Sequence, residues 1–196
     1  MIKYLKGGIL AVFFYLNLAQ GENFVLLNED VLNEKVVSQI NTIGAELYAK
    51  SGVFAAVAVA RNIEIEELQA MQDTLQAPFV LLVLSQKSHI VDILTSKEAI
   101  FFFDRNKVLS PYSGEGSILP VLASNKAKDI YNAAILNGYG DIADQIAAYF
   151  KLKLESSIGN ANRDTLNVLR IGIYGFLCIA ALYYAQRKIK KRRYAS

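Results

Sequence analysis

Fifteen uncharged residues, Ile171 to Ala185, run almost directly into six cations within seven positions: Arg187, Lys188, Lys190, Lys191, Arg192 and Arg193. No other feature narrows the architecture as much. A helix over that run rises about 22 Å, short of a ~30 Å hydrocarbon core. Extending it from Leu169 to Lys188 makes up the length, with Arg170 and Lys188 carrying their charged heads to the two interfaces. Tyr174, Tyr183 and Tyr184 supply interfacial rings. Lys and Arg concentrate on the cytoplasmic side of a span. The expectation is one C-terminal transmembrane helix over 166–188, a cytoplasmic basic tail over 189–196, and everything before Arg170 outside.

The other end of the chain fits that orientation. Lys3 and Lys6 form a short positive region, Ile9 to Ala19 is apolar, and Ala19-Gln20-Gly21 offers small residues for cleavage before Glu22. This reads as a signal peptide over 1–21. Left uncleaved, the same segment would tether the domain at both ends. Residues 22–165 are enough for one domain with a real core. All 18 acidic residues fall there against 12 basic ones, a surplus of six negative charges hidden beneath the whole-chain value of +3. The basic surplus lies in the two ends, which argues against nucleic acid and for a tail at anionic lipid headgroups. The only cysteine is Cys178, so the exported domain has neither a disulfide framework nor a thiol nucleophile. It also carries no Asn-x-Ser/Thr site, which favours a bacterial periplasm.

Periodicity orders the domain. Val31 to Lys50 repeats apolar residues near 3.6 and stops at Ser51-Gly52, an amphipathic helix. Val53 to Ala60 and Phe79 to Leu84 are continuous apolar runs, hence buried strands. Glu64 to Gln76 between them reads as a helix, and Ser88 to Leu94 as the hairpin partner of the second strand. Ala99 to Phe103 fits strand and helix equally, 104–116 is a loop, Ile118 to Ser124 a short helix and Lys126 to Lys153 a long one. A strand–helix–strand unit implies a parallel crossover with helices on the sheet faces. The expected fold is α/β: a small mixed central sheet of about four strands with flanking helices, the long helix packed across it, plus the transmembrane helix.

This order resembles the TPM-domain family. The resemblance rests on Ile43-Gly44-Ala45-Glu46-Leu47-Tyr48, the strand Val53 to Ala60, and the hairpin Phe79 to Leu84 with Ile90 to Leu94. Ile118-Leu119-Pro120 and Ala133 to Tyr149 complete it. Gly116-Ser117-Ile118-Leu119-Pro120 and Asn137-Gly138-Tyr139-Gly140-Asp141-Ile142-Ala143 are similar to the membrane-anchored branch found in bacteria related to Campylobacter and Helicobacter. The family includes exported or lumenal proteins of photosystem repair and a modulator of nematode acetylcholine receptors. The resemblance implies a periplasmic TPM-like α/β domain over 22–165, with weak acid phosphatase activity or calcium binding as known properties of some members. Asp30 corresponds to the family's Asp before the first helix, whereas Ala77-Pro78 stands where an Asn-Gly commonly opens the hairpin strand.

Candidate chemistry is sparse, and no catalytic or cofactor-binding set is visible. Asp30, Asp92 and Asp104, with Glu98 and Glu115, read either as hard oxygen ligands for Ca²⁺ converging at one sheet edge or as a solvated acidic face. His89 is the only histidine and reads first as a turn residue. Ser110 to Ser117 precedes a helix, so its free amides can hold an anion or Ser117 can cap that helix. Gly138 and Gly140 imply close packing, a bend or a break. Asp129, Asp141 and Asp144 read first as a solvated face and second as a partner-binding face.

The expected function is a membrane-anchored periplasmic accessory domain. It binds or supports another envelope protein, with the inner membrane as its second partner. The alternative is a weak metal-assisted phosphatase acting through Asp104, Asp92 or Asp30.

Overall fold

Asn33 starts the first helix because its side-chain oxygen accepts the Val36 amide at 3.0 Å. Gly52 ends it at φ 73, a left-handed turn that glycine adopts without a Cβ clash, its amide donating to the Tyr48 carbonyl. Between these caps α1 (Glu34–Ser51) buries Val36, Ile40, Ile43, Gly44 and Leu47 along one stripe. The helix begins three residues later than its periodicity suggests. Asn28 Oδ1 accepts the Val31 and Leu32 amides and holds that stretch in a turn. The computed structural model describes residues 23–124, 129–158, 173–179 and 182–184. The chain divides into two units, 1–157 and 158–196, and each stands by itself below.

In the first unit, β1 (Val25–Asn28), β2 (Phe54–Ala60), β3 (Phe79–Ser85) and β4 (Ile90–Thr95) form one sheet in the order β1-β2-β3-β4. The first two pairings are parallel and the last is antiparallel. The mixed sheet matches the expected one except in its fourth member. That strand is 25–28, whereas 99–103 forms a turn whose ends, Ala99 and Phe103, are buried. Its middle has no strand partner, which is why neither period fits it.

Alanine- and valine-rich β2 and leucine- and valine-rich β3 are buried on both faces. On one face Ala56, Ala58, Ala60, Leu81 and Val83 pack with Ile65 and Leu68 of α2 (Ile65–Ala70). A 3₁₀ turn, Met71–Thr74, follows α2 where a single longer helix was expected. The alternate residues Ala55, Val57, Val59, Val80, Leu82 and Leu84 are equally buried. The long helices supply their cover. After the short α3 (Arg105–Val108) and α4 (Leu119–Leu122) comes α5 (Ile130–Tyr149), which packs along α1. The two run parallel. Asn33 N donates to Asn132 Oδ1 at one end, and Lys50 Nζ donates to the Lys153 carbonyl at the other.

Gly44 permits this approach: a Cβ there would overlap the Phe24 ring and the Tyr139 hydroxyl. Both neighbours are rigid and buried. Gly44→Ala is therefore expected to lower the unfolding free energy by about 1–3 kcal/mol despite its better helix propensity. Urea denaturation checks this, and an unchanged or raised midpoint contradicts it.

The transmembrane part of the expected fold is corrected. Among the described residues no helix is long and apolar enough to cross a membrane. Within 166–188 the described helical residues are 173–179 and 182–184. The longer piece rises about 10 Å, a third of a ~30 Å core. The rest of that span, the signal segment 1–21 and the tail 189–196 lie outside the described residues.

Candidate functional site

The strand register separates Asp30 from Asp92, two of the carboxylates read as a metal set. Asp92 pairs with Val83, Val83 with Ala58, and Ala58 with Leu27, three residues before Asp30. Asp92 thus sits three strand spacings, about 14 Å, from the strand that leads to Asp30. Asp30 itself adopts φ 52 on the loop after β1, where its carbonyl accepts Arg61 Nη2 at 2.9 Å. Asp92 is committed to an ion pair with Arg105 and accepts Gln69 Nε2 at 3.0 Å. Asp104 caps α3, accepting the Lys107 amide at 3.0 Å. Glu115 Oε2 accepts Ser110 Oγ within its own loop. The exposed Glu98 carboxyl is held below the usual value by its own backbone amide and by Ser96. Among the described residues no three His, Cys, Asp or Glu side chains come together to hold a metal ion.

Other candidates take structural positions. The amides of Glu115 and Gly116 both donate to the Tyr112 carbonyl, and that of Ser117 to Val108, so the 110–117 loop spends them internally. The Ser117 hydroxyl does not cap α4; it donates to Asp141 of α5. Asp144 accepts Ser157 Oγ, and Asp129 accepts the side-chain amides of Asn33 and Asn132. The acidic stripe of α5 therefore clasps its neighbours instead of facing water alone. The helix is continuous through Gly138 and Gly140, and a Cβ at Gly138 would overlap Ile118. Close packing, not a break, explains that glycine.

What remains is aromatic and lies at one pole. Ser96 closes β4 beside the start of β3, its amide donating to the Phe79 carbonyl at 3.1 Å. The turn that follows presents Ile100, 55% exposed, and Phe101, 80% exposed. Next to them Phe102 packs against the last residues of α5: its ring centroid is 4.9 Å from both Tyr149 and Phe150, which are 5.1 Å from each other. Tyr149 is 54% exposed. Mutual edge and tilted contacts hold these rings in fixed orientations. Lys97 and Lys151 flank the patch and form no ion pair among the described residues. The sequence hint was Ile100-Phe101-Phe102-Phe103, four apolar residues in a row that fit no period.

The same pole carries the chain out of the unit through a carboxylate clasp. Glu46 of α1 accepts Lys50 Nζ at 2.6 Å, the amides of Glu155 and Ser156 at 2.7 and 2.8 Å, and the Ser156 hydroxyl. Burial pushes this carboxyl up, but the hydrogen bonds from Lys50, Ser156 and the two amides outweigh it and lower its pKa to about 2.

The fold and this pole define a small α/β domain with a mixed sheet and a preassembled aromatic surface. No family model and no curated protein matches the chain.

Proposed function

We propose that the first unit is a non-enzymatic interaction domain of a bacterial envelope, standing on the periplasmic side and binding another envelope protein through its aromatic pole. The observation that carries this reading is the Phe102–Tyr149–Phe150 cluster with Phe101 and Ile100 exposed beside it. Exposed apolar patches of this kind mark interaction sites, and aromatic anchors dominate interface energies. Because the rings already hold one another, little side-chain freedom is lost on docking. Lys97 and Lys151 at the rim favour a partner with acidic residues around an apolar groove. The TPM-like element order accords with an accessory role. The apolar segment 9–19 and the absence of cysteine from 22–165 accord with export, and the cations at 187–193 suit an anionic membrane surface. The phosphatase alternative draws no support from Asp30, Asp92 and Asp104, which among the described residues form no three-ligand group.

The test is quantitative recovery of partner from gently solubilised envelopes. Two hot-spot rings at about 2 kcal/mol each predict at least a ~30-fold loss of partner for the Phe101→Ser/Tyr149→Ser variant, allowing for non-additivity. Its urea midpoint should stay near that of the unsubstituted protein, since both rings are largely exposed. Full recovery with the double variant contradicts the reading.

A further inference from the structure

The opposite pole holds a cavity that the interaction reading leaves unused. It lies beyond the carboxyl end of β3, where the sheet changes from parallel to antiparallel, and encloses about 240 Å³. Crevices outside the carboxyl ends of parallel strands are common ligand positions of α/β sheets, although the sequential order β1-β2-β3-β4 makes no reversal here. Leu84 and Val91 of the hairpin, Leu119 and Leu122 of α4 and Ile130 of α5 make its walls apolar.

Three further lining residues, Gln86, His89 and Tyr131, add polar side chains. His89 is exposed and Gln86 and Tyr131 are half-buried. Among the described residues none of the three side chains has a hydrogen bond or ion pair, whereas Ser85, Lys87 and Ser88 of the hairpin turn are engaged. Ser85 Oγ donates to the Ile63 carbonyl at 2.6 Å and accepts the Ser88 amide at 3.0 Å. Ser88 Oγ donates to Glu64 at 2.6 Å, and Lys87 pairs with the same carboxylate at 3.0 Å. The turn is thus internally satisfied without His89. His89 occupies φ 54, a left-handed conformation in which Asn, Asp and His are enriched among non-glycine residues.

The unpaired groups share a sign of chemistry. The Gln86 amide, the His89 ring N–H and the Tyr131 hydroxyl are hydrogen-bond donors, and among the described residues no carboxylate lines the cavity. The first turn of α5, with Ile130 and Tyr131, adds the positive end of a 20-residue helix, partly offset by the Asp129 carboxylate at its N-cap. The volume falls below the ~300–1,000 Å³ of drug-sized sites. We infer that this cavity binds a small organic monocarboxylate, its short aliphatic or single-ring body between Leu84, Leu119 and Leu122 and its carboxylate at Gln86, His89 and Tyr131. The inference is independent of the aromatic pole: Tyr131 and Tyr149 are 18 residues apart on one helix, about 27 Å.

The chain contains a single histidine, so its imidazole gives one unambiguous proton signal. Full-length protein is titrated with benzoate, and separately with benzyl alcohol as a neutral body of similar size, at one fixed pH. The expected result is a saturable shift of the His89 signal, with benzoate at least ~5-fold tighter than the alcohol, consistent with charge-assisted hydrogen bonds. Leu122→Trp, which fills the cavity, should weaken benzoate by at least ~10-fold while the urea midpoint holds. Should that variant fold poorly, His89→Asn suits the same backbone and should weaken benzoate several-fold, read by the chain's tyrosine signals. An unsaturable shift, equal affinity for acid and alcohol, or unchanged binding in the folded variants overturns the assignment.

Discussion

Glu46→Ala is expected to lower the unfolding free energy by about 3 kcal/mol at neutral pH and to flatten its acid dependence. A carboxyl whose pKa falls from 4.5 to about 2 on folding stabilises the native state by roughly 1.4 kcal/mol per unit once ionised in both states. Its side chain is 18% exposed, so solvent screening removes only part of this. The sign follows from the direction: a folded pKa below the unfolded one gives stability that is complete above about pH 5. That stability is lost as pH falls towards 2. Urea unfolding across this window should show a steep acid loss in the unsubstituted protein and a shallower one in Glu46→Ala. Glu46→Gln, which retains one acceptor oxygen but no charge, should lie between them. Identical acid slopes in the three proteins would show that the clasp does not hold the 155–156 segment as described.

The second large effect concerns Tyr139, the largest fully buried side chain of the unit. Its hydroxyl donates to the Ala55 carbonyl at 2.9 Å, tying α5 to β2, and burial pushes its pKa well above the usual phenol range. Tyr139→Ala is expected to cost about 3–5 kcal/mol, the range for deleting a buried aromatic ring. Tyr139→Phe keeps the ring and loses the hydrogen bond, so about 1–2 kcal/mol is expected. A Tyr139→Phe variant as unstable as Tyr139→Ala would mean that the hydroxyl, not the packing of the ring, fastens this helix to the sheet.

Much of the sheet was readable because β2 and β3 are continuous apolar runs, buried on both faces, and α1 keeps one helical period. Asn33 and Gly52 punctuate α1 by local chemistry that sequence carries directly. The four residues of β1 were not legible, since their pairing with Val57 to Val59 depends on a partner some thirty residues away. The same non-local origin hid the roles of the acidic residues. Asp141 and Asp144 share one helix face, but only the chain's path brings Ser117 and Ser157 to them. Asp30 and Asp92 look alike as letters, and only the strand order β1-β2-β3-β4 sets them at opposite edges of the sheet. The aromatic pole was half legible. Ile100 to Phe103 stood out as aperiodic, while its meeting with Tyr149 and Phe150 is a product of tertiary packing.

The most direct measurement places a photo-activated cross-linking side chain at position 101 in cells making the full-length protein, and at position 89 of the opposite pole as a control. One discrete protein adduct is expected from position 101, none from position 89, and that adduct should be lost when Tyr149→Ser is added. Adducts to lipid alone, the same adducts from both positions, or no protein adduct from position 101 would contradict that expectation.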